Sequence, residues 1–115
     1  GELRLYGQGL DAAAATAAPP DVIPRELALG LAPNPFNPKT SIELSLPVAG
    51  RARVEIYDVR GRLVRQLVDE ELPAGTWSRT WSGLDDRGQR VASGVYMVRL
   101  RHPGGERVIK AALVE

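Results

Sequence analysis

The chain has no cysteine, and among its 115 residues it has one histidine, one phenylalanine and one methionine. Without cysteine there is no disulfide framework and no thiolate metal site. An extracellular home remains compatible with that, because many small β domains are stable without disulfides. One imidazole excludes a multi-histidine metal centre. Any nucleophile–histidine–carboxylate triad would have to use His102, which stands in the turn "HPGGE" with no nucleophile near it in sequence. No run approaches the ~20 apolar residues of a membrane-spanning helix, so no membrane insertion is expected. Charge of one sign is also missing: fifteen basic residues against fourteen acidic give a net charge of +1. That balance supplies no electrostatic reason to expect nucleic acid or an anionic membrane as partner. No secretory leader is recognisable. The chain starts at Gly1 and is expected to be a piece of a longer protein, with any leader upstream.

Other chemical signals are equally thin. Gly7-Gln8-Gly9 is a lone Gly-x-Gly without the rest of a nucleotide-binding loop. Asp85 and Asp86 precede Gly88 but lack the alternating ligands and distal glutamate of a calcium loop. Asp69 to Glu71 lead into a turn and read as a solvated edge, not as a facing carboxylate pair. Arg51, Arg53, Arg60, Arg62 and Arg65 either form a basic patch for an acidic partner or simply occupy a solvent face, diluted by Glu55 and Asp58. Trp77 and Trp81 are either core or an aromatic platform for sugars. No catalytic role and no cofactor is expected.

Residues 1–25 differ in composition from the rest. A short alternating run, Glu2 to Leu5, precedes "DAAAATAAPPDVIP", in which the alanines would sustain a helical turn or two before Pro19 and Pro20 end it. With little to bury, this segment is expected to be a linker, after an end strand of a preceding domain or a strand added to this one. The folded domain is expected over residues 26–115.

From there the apolar residues recur every second position. Ile42, Leu44 and Leu46 alternate with Ser41, Glu43 and Ser45; Ala52, Val54 and Ile56 with Arg51, Arg53 and Glu55. Tyr96, Val98 and Leu100, then Ile109, Ala111 and Leu113, repeat the pattern. Period two is the signature of half-buried strands. Turn residues separate the runs at "PVAG", "DVRG", "ELPAG" and "HPGGE". About seven strands with turns at this spacing predict an all-β, immunoglobulin-like antiparallel sandwich. Two stretches depart from alternation. Val64 and Leu67 are three apart, which predicts a β-bulge. Arg79 shares a face with Trp77 and Trp81, so it either stacks between the indoles or lies at a sheet edge and reaches water along its stem.

"NPFNP", Asn34 to Pro38, places the only phenylalanine between two Asn-Pro units. Proline cannot donate to a sheet ladder and holds the preceding residue out of the helical region. The stretch therefore predicts a stiff corner between the first two strands, with Phe36 turned inward as a plug. Asp58 and Gly61 suit a tight turn after Tyr57. Gly94 allows a bend as a strand begins. Tyr96 is expected to bury its ring and hydrogen-bond a backbone carbonyl, and Trp81 to anchor the core.

Three of these motifs in this order, Asn-Pro-Phe-Asn-Pro, Tyr57-Asp58-x-x-Gly61-Arg62 and Ser93-Gly94-x-Tyr96, resemble the immunoglobulin-like domain named after the flagellar hook-capping protein. They are also similar to the related domains that close large secreted bacterial proteins as type IX secretion sorting signals. The resemblance covers about Leu27 to Val114 and is nearer the hook-cap branch. Ser82 and Arg79 depart from the family's usual residues, an Asp or Asn and an aliphatic. The resemblance implies a non-catalytic C-terminal accessory domain of a larger secreted protein, a sorting and attachment module at the cell surface, with secretion or assembly machinery and the upstream domains of the same chain as partners. Lys110 and the final strand would then carry recognition. The alternatives are a structural assembly domain of a hook-capping protein, or an extracellular protein- or carbohydrate-binding module presenting Trp77.

Overall fold

The computed structural model describes residues 23–114. Most of the expected linker, and the alternating run before it, lie outside the described residues. Seven strands follow: β1 (Ala28–Ala32), β2 (Thr40–Leu46), β3 (Gly50–Tyr57), β4 (Leu63–Leu72), β5 (Gly75–Trp81), β6 (Gly94–His102) and β7 (Gly105–Leu113). They form a three-stranded sheet, β1-β2-β5, and a four-stranded sheet, β4-β3-β6-β7, with every strand pair antiparallel. The chain is an all-β, immunoglobulin-like sandwich, as the alternation predicts.

The alternating residues meet between the sheets. Ile42, Leu44 and Leu46 of β2, Ala52, Val54 and Ile56 of β3, and Val98 and Leu100 of β6 are all fully buried. Stacking two sheets removes each strand's apolar side from water, and that gain drives the assembly. Among the described residues there is no helix.

The three-residue step in β4 is a pair of bulges. Val54 lies opposite Val68 but Glu55 opposite Gln66, and Ile56 opposite Arg65 but Tyr57 opposite Leu63. Leu67 and Val64 are the supernumerary residues, and both pack against the core. Each bulge thus returns an apolar side chain to the inner face that strict alternation would turn outward.

Arg79 shares the inner side of β5 because its cross-strand partner is the buried Ile42. β5 is the edge of its sheet, as β4 is of the other. Across that open side the guanidinium meets Glu70 of β4, at 3.2 Å from Nη2 and 3.3 Å from Nε. A half-buried cation needs an anionic partner, and the sheet edge provides one; the head group goes to Glu70 instead of stacking between the indoles.

Candidate functional site

After β1 the chain leaves the three-stranded sheet and runs beside β7 of the other. The Phe36 N–H donates to the Ala112 carbonyl at 2.8 Å, and the Val114 N–H donates to the Phe36 carbonyl at 2.9 Å. Phe36 and Leu113 form a parallel bridge. The Asn34 side chain extends this pairing: its Nδ2 donates to the Lys110 carbonyl at 3.1 Å and its Oδ1 accepts the Ala112 N–H at 3.0 Å. In a stretch where Pro33, Pro35 and Pro38 have no N–H to give, one primary amide and one backbone unit supply the ladder. All three prolyl bonds are cis. Thr40, buried at the start of β2, donates from Oγ1 to the Pro33 carbonyl at 2.9 Å. The corner therefore joins the two sheets and covers the C-terminal half of the β7 edge, a function beyond the turn that sequence reasoning assigns to it. Asn37 is exposed and Pro38 half-buried.

Phe36 is buried and its ring lies 5.4 Å from that of Trp81, which lies 5.5 Å from that of Tyr96 in an edge-to-face contact. Such tilted pairs add to burial because a ring edge meets the negative face of its neighbour. The Trp81 indole donates to the Leu84 carbonyl at 2.9 Å, and the Tyr96 hydroxyl donates to the Ala92 carbonyl. The column ties the corner to the end of β5 and the start of β6, where Gly94 has φ +154°. Gly83, which sequence reasoning passes over, has φ +74°, and a Cβ there would meet the Pro38 carbonyl oxygen at 3.3 Å.

Two loops of one design flank a cleft of about 350 Å³ at the Asp58 and Asp85 turns. Asp58 Oδ1 accepts the N–H groups of Arg60 and Arg62, at 2.9 and 3.0 Å. Asp85 Oδ1 accepts those of Arg87 and Gln89, both at 2.9 Å. Gly61 and Gly88 close the loops at φ +84° and +81°. The shared sequence Asp-x-Arg-Gly was the available signal for this repeat. Backbone donation by Arg62 and Arg60, with the Arg62 side chain, holds the Asp58 carboxyl below its usual pKa. The neighbouring Asp86 docks on β4: its N–H donates to the Val64 carbonyl at 3.0 Å, and its carboxylate accepts the Gln66 N–H at 3.1 Å.

The arginine cluster is not a bare basic patch. Arg51 and Arg53 share Asp69, at 2.6 and 3.5 Å, Arg62 pairs with Asp58, and Arg65 lies 3.9 Å from Asp86. On the outer face that carries Arg51 and Arg53, the buried Glu55 accepts from the Tyr57 hydroxyl at 2.9 Å and from Arg101 at 2.7 Å. Trp77 is half-buried against the core with its N–H donated to the Pro73 carbonyl at 2.9 Å. On the edge strand β5 it lies opposite the buried Leu44. Lys110 is exposed at the clamped edge. His102 Nδ1 accepts the Gly104 N–H at 3.0 Å, and burial lowers its pKa. Among the described residues no three His, Asp or Glu side chains are grouped to hold a metal.

The fold recurs in solved structures. Dimeric latent PorU from Porphyromonas gingivalis superposes with a TM-score of 0.60 at 23% identity, covering 75% of this chain and 9% of that one. PorZ, described as an essential surface component of the type IX secretion system of the same organism, gives 0.51 at 28% identity, covering 76% and 11%. FlgD from P. aeruginosa gives 0.54 at 20% identity, covering 76% and 77%. This chain thus spans only a small fraction of PorU and of PorZ. A comparison with curated proteins returns no match. The sequence matches the FlgD Ig-like domain over residues 37–105, from the middle of the corner to the β6–β7 turn, and the chain belongs to that family.

Proposed function

We propose that this domain is a non-catalytic accessory module at the C-terminal end of a larger exported bacterial protein, where it serves in sorting and attachment at the cell surface. The observation that carries the reading is the 28% identity to PorZ, itself a surface component of a secretion system, in a chain of which the matching domain is a small part. The partner is a protein of the secretion machinery, and the part it reads is β7 with the Asn34–Phe36 corner. The geometry supports this choice because the corner holds the last strand in one register and leaves Lys110 exposed beside it. A second reading, a structural assembly domain of a hook-capping protein, is favoured by the family match.

The test is secretion of the full-length parent in its native host, with and without residues 26–115, followed by cell fractionation. Periplasmic accumulation of the truncated form, with the intact form at the surface or in the medium, supports sorting. Equal export of both forms overturns it and leaves the assembly reading.

A further inference from the structure

Polar and apolar residues alternate on β2 and β3, so the outer faces there are hydrophilic. The alternation stops at the start of β6, where Val95, Tyr96, Met97 and Val98 form an unbroken apolar run. Tyr96 and Val98 are in the core, which turns Val95 and Met97 outward. At this end of β6 the outer face is therefore apolar as well, and a contiguous exposed apolar patch marks an interaction site.

The register extends this into a stripe across all four strands. Leu63 lies opposite Tyr57 and Tyr57 opposite Met97; on β7 the residue facing Met97 is Lys110, and Val108 adjoins Met97 diagonally, opposite Arg99. Val59 projects from the adjoining turn. In the described chain Val59 is 74% exposed, Leu63 51%, Val108 48% and Val95 43%. Tyr57, Val59, Met97 and Val108 line a shallow cleft of about 400 Å³. The charged residues that share its lining are neutralised in pairs, Arg99 with Glu106 and Asp58 with Arg62, so no unpaired charge competes with the aliphatic surface between them.

We propose that this stripe is the docking face for another domain of the same polypeptide. The proposal rests on the reading that the domain belongs to a longer chain. The area selects the occupant. These side chains expose on the order of 400 Å², within the range of patches that mark an interaction site. A standard homodimer interface takes about 800 Å² from each partner, polar rim included, more than this face supplies without its charged surroundings. Contacts between domains of one chain bury about 600–1,500 Å² in total, to which each side contributes about half. A tether also raises the effective concentration to the millimolar range, so a small face is enough. In PorU and PorZ the similar domain is 9% and 11% of the chain, which leaves abundant neighbouring surface. The complementary face is apolar at its centre, with a polar rim that leaves Lys110 on the clamped β7 edge open.

The absence of cysteine from this domain makes thiol labelling a direct test. Single Val59→Cys and Val108→Cys variants of the purified full-length parent are compared with Glu43→Cys, which is exposed on the outer face of the other sheet. The unsubstituted parent serves as blank, and a thermal melt verifies that each variant is folded. The stripe positions are expected to label roughly tenfold or more slowly than the control, because reaction must wait for the domains to separate. Adding Val108→Asp to the Val59→Cys variant is expected to restore fast labelling. Equal rates at all three positions overturn the proposal. Protection that vanishes on dilution also overturns it, since the occupant is then a second copy. No export is involved, so failure here is distinct from failure of the sorting role.

Discussion

Replacing Asn34 by alanine tests whether the corner holds the last strand. The side chain makes two hydrogen bonds to β7, at 3.1 and 3.0 Å, both exposed to solvent. A typical net contribution is about 0.5–1.5 kcal/mol per bond, and exposure places both at the low end because water replaces the lost partner. The expected loss is about 1 kcal/mol, which for a domain of this size lowers Tm by about 4–8 °C. Asn34→Asp sharpens the test. Its carboxylate can still accept the Ala112 N–H but sets a second oxygen against the Lys110 carbonyl, so it is expected to be no more stable than alanine. Calorimetry gives the magnitude. Amide exchange gives the location, with Ala112 and Val114 accelerating while Val98 and Leu100 in the middle of β6 stay protected. The reasoning is refuted if the Asn34→Asp variant is as stable as the parent, or if Ala112 exchange is unchanged in the alanine variant.

The twin loops should respond alike. Alanine at Gly61 or Gly88, where φ is +84° and +81° in open space, is expected to cost about 1–2 kcal/mol each, with asparagine milder; urea unfolding that shows either site indifferent to alanine would contradict the loop geometry. Tyr96→Phe removes the hydroxyl that donates to Ala92 and is expected to lose about 1 kcal/mol, visible as a drop in Tm. His102 has its pKa depressed by burial, so the unfolded chain binds the proton more readily than the fold. Its contribution is complete above about pH 6.5 and declines as pH falls through that value towards the lower folded pKa. His102→Asn, which can still accept the Gly104 N–H, is expected to flatten this part of the profile; urea midpoints at about pH 7.5 and 5.0, either side of the ordinary histidine pKa, that differ equally in both proteins would count against it.

Much of the architecture is local physics and is therefore visible in the order of residues. The alternation of Ile42, Leu44 and Leu46 with serine and glutamate specifies a strand with one buried face. The three-residue step from Val64 to Leu67 marks the bulged stretch, because each of the two packs on the core side. Asp58 and Gly61 define their turn through bonds that span four residues. The prolines around Phe36 require a corner, since they forbid a regular ladder on any fold.

The long-range pairings are another matter, and only the stacking of the two sheets decided them. Asn34 meets Lys110 and Ala112 across 76 and 78 positions of chain. Asp86 reaches the β4 backbone and Arg79 finds Glu70 for the same reason, that each lies at an open sheet edge. A strand's period states which residues face inward, but not which strand lies beside it or what covers its rim. For that reason the arginines from Arg51 to Arg65 read more simply as a solvent face but left a basic patch open until the fold set Asp58, Asp69 and Asp86 beside them. The apolar stripe from Leu63 to Val108 likewise exists only once four strands are in register, because its members come from three separate stretches of sequence.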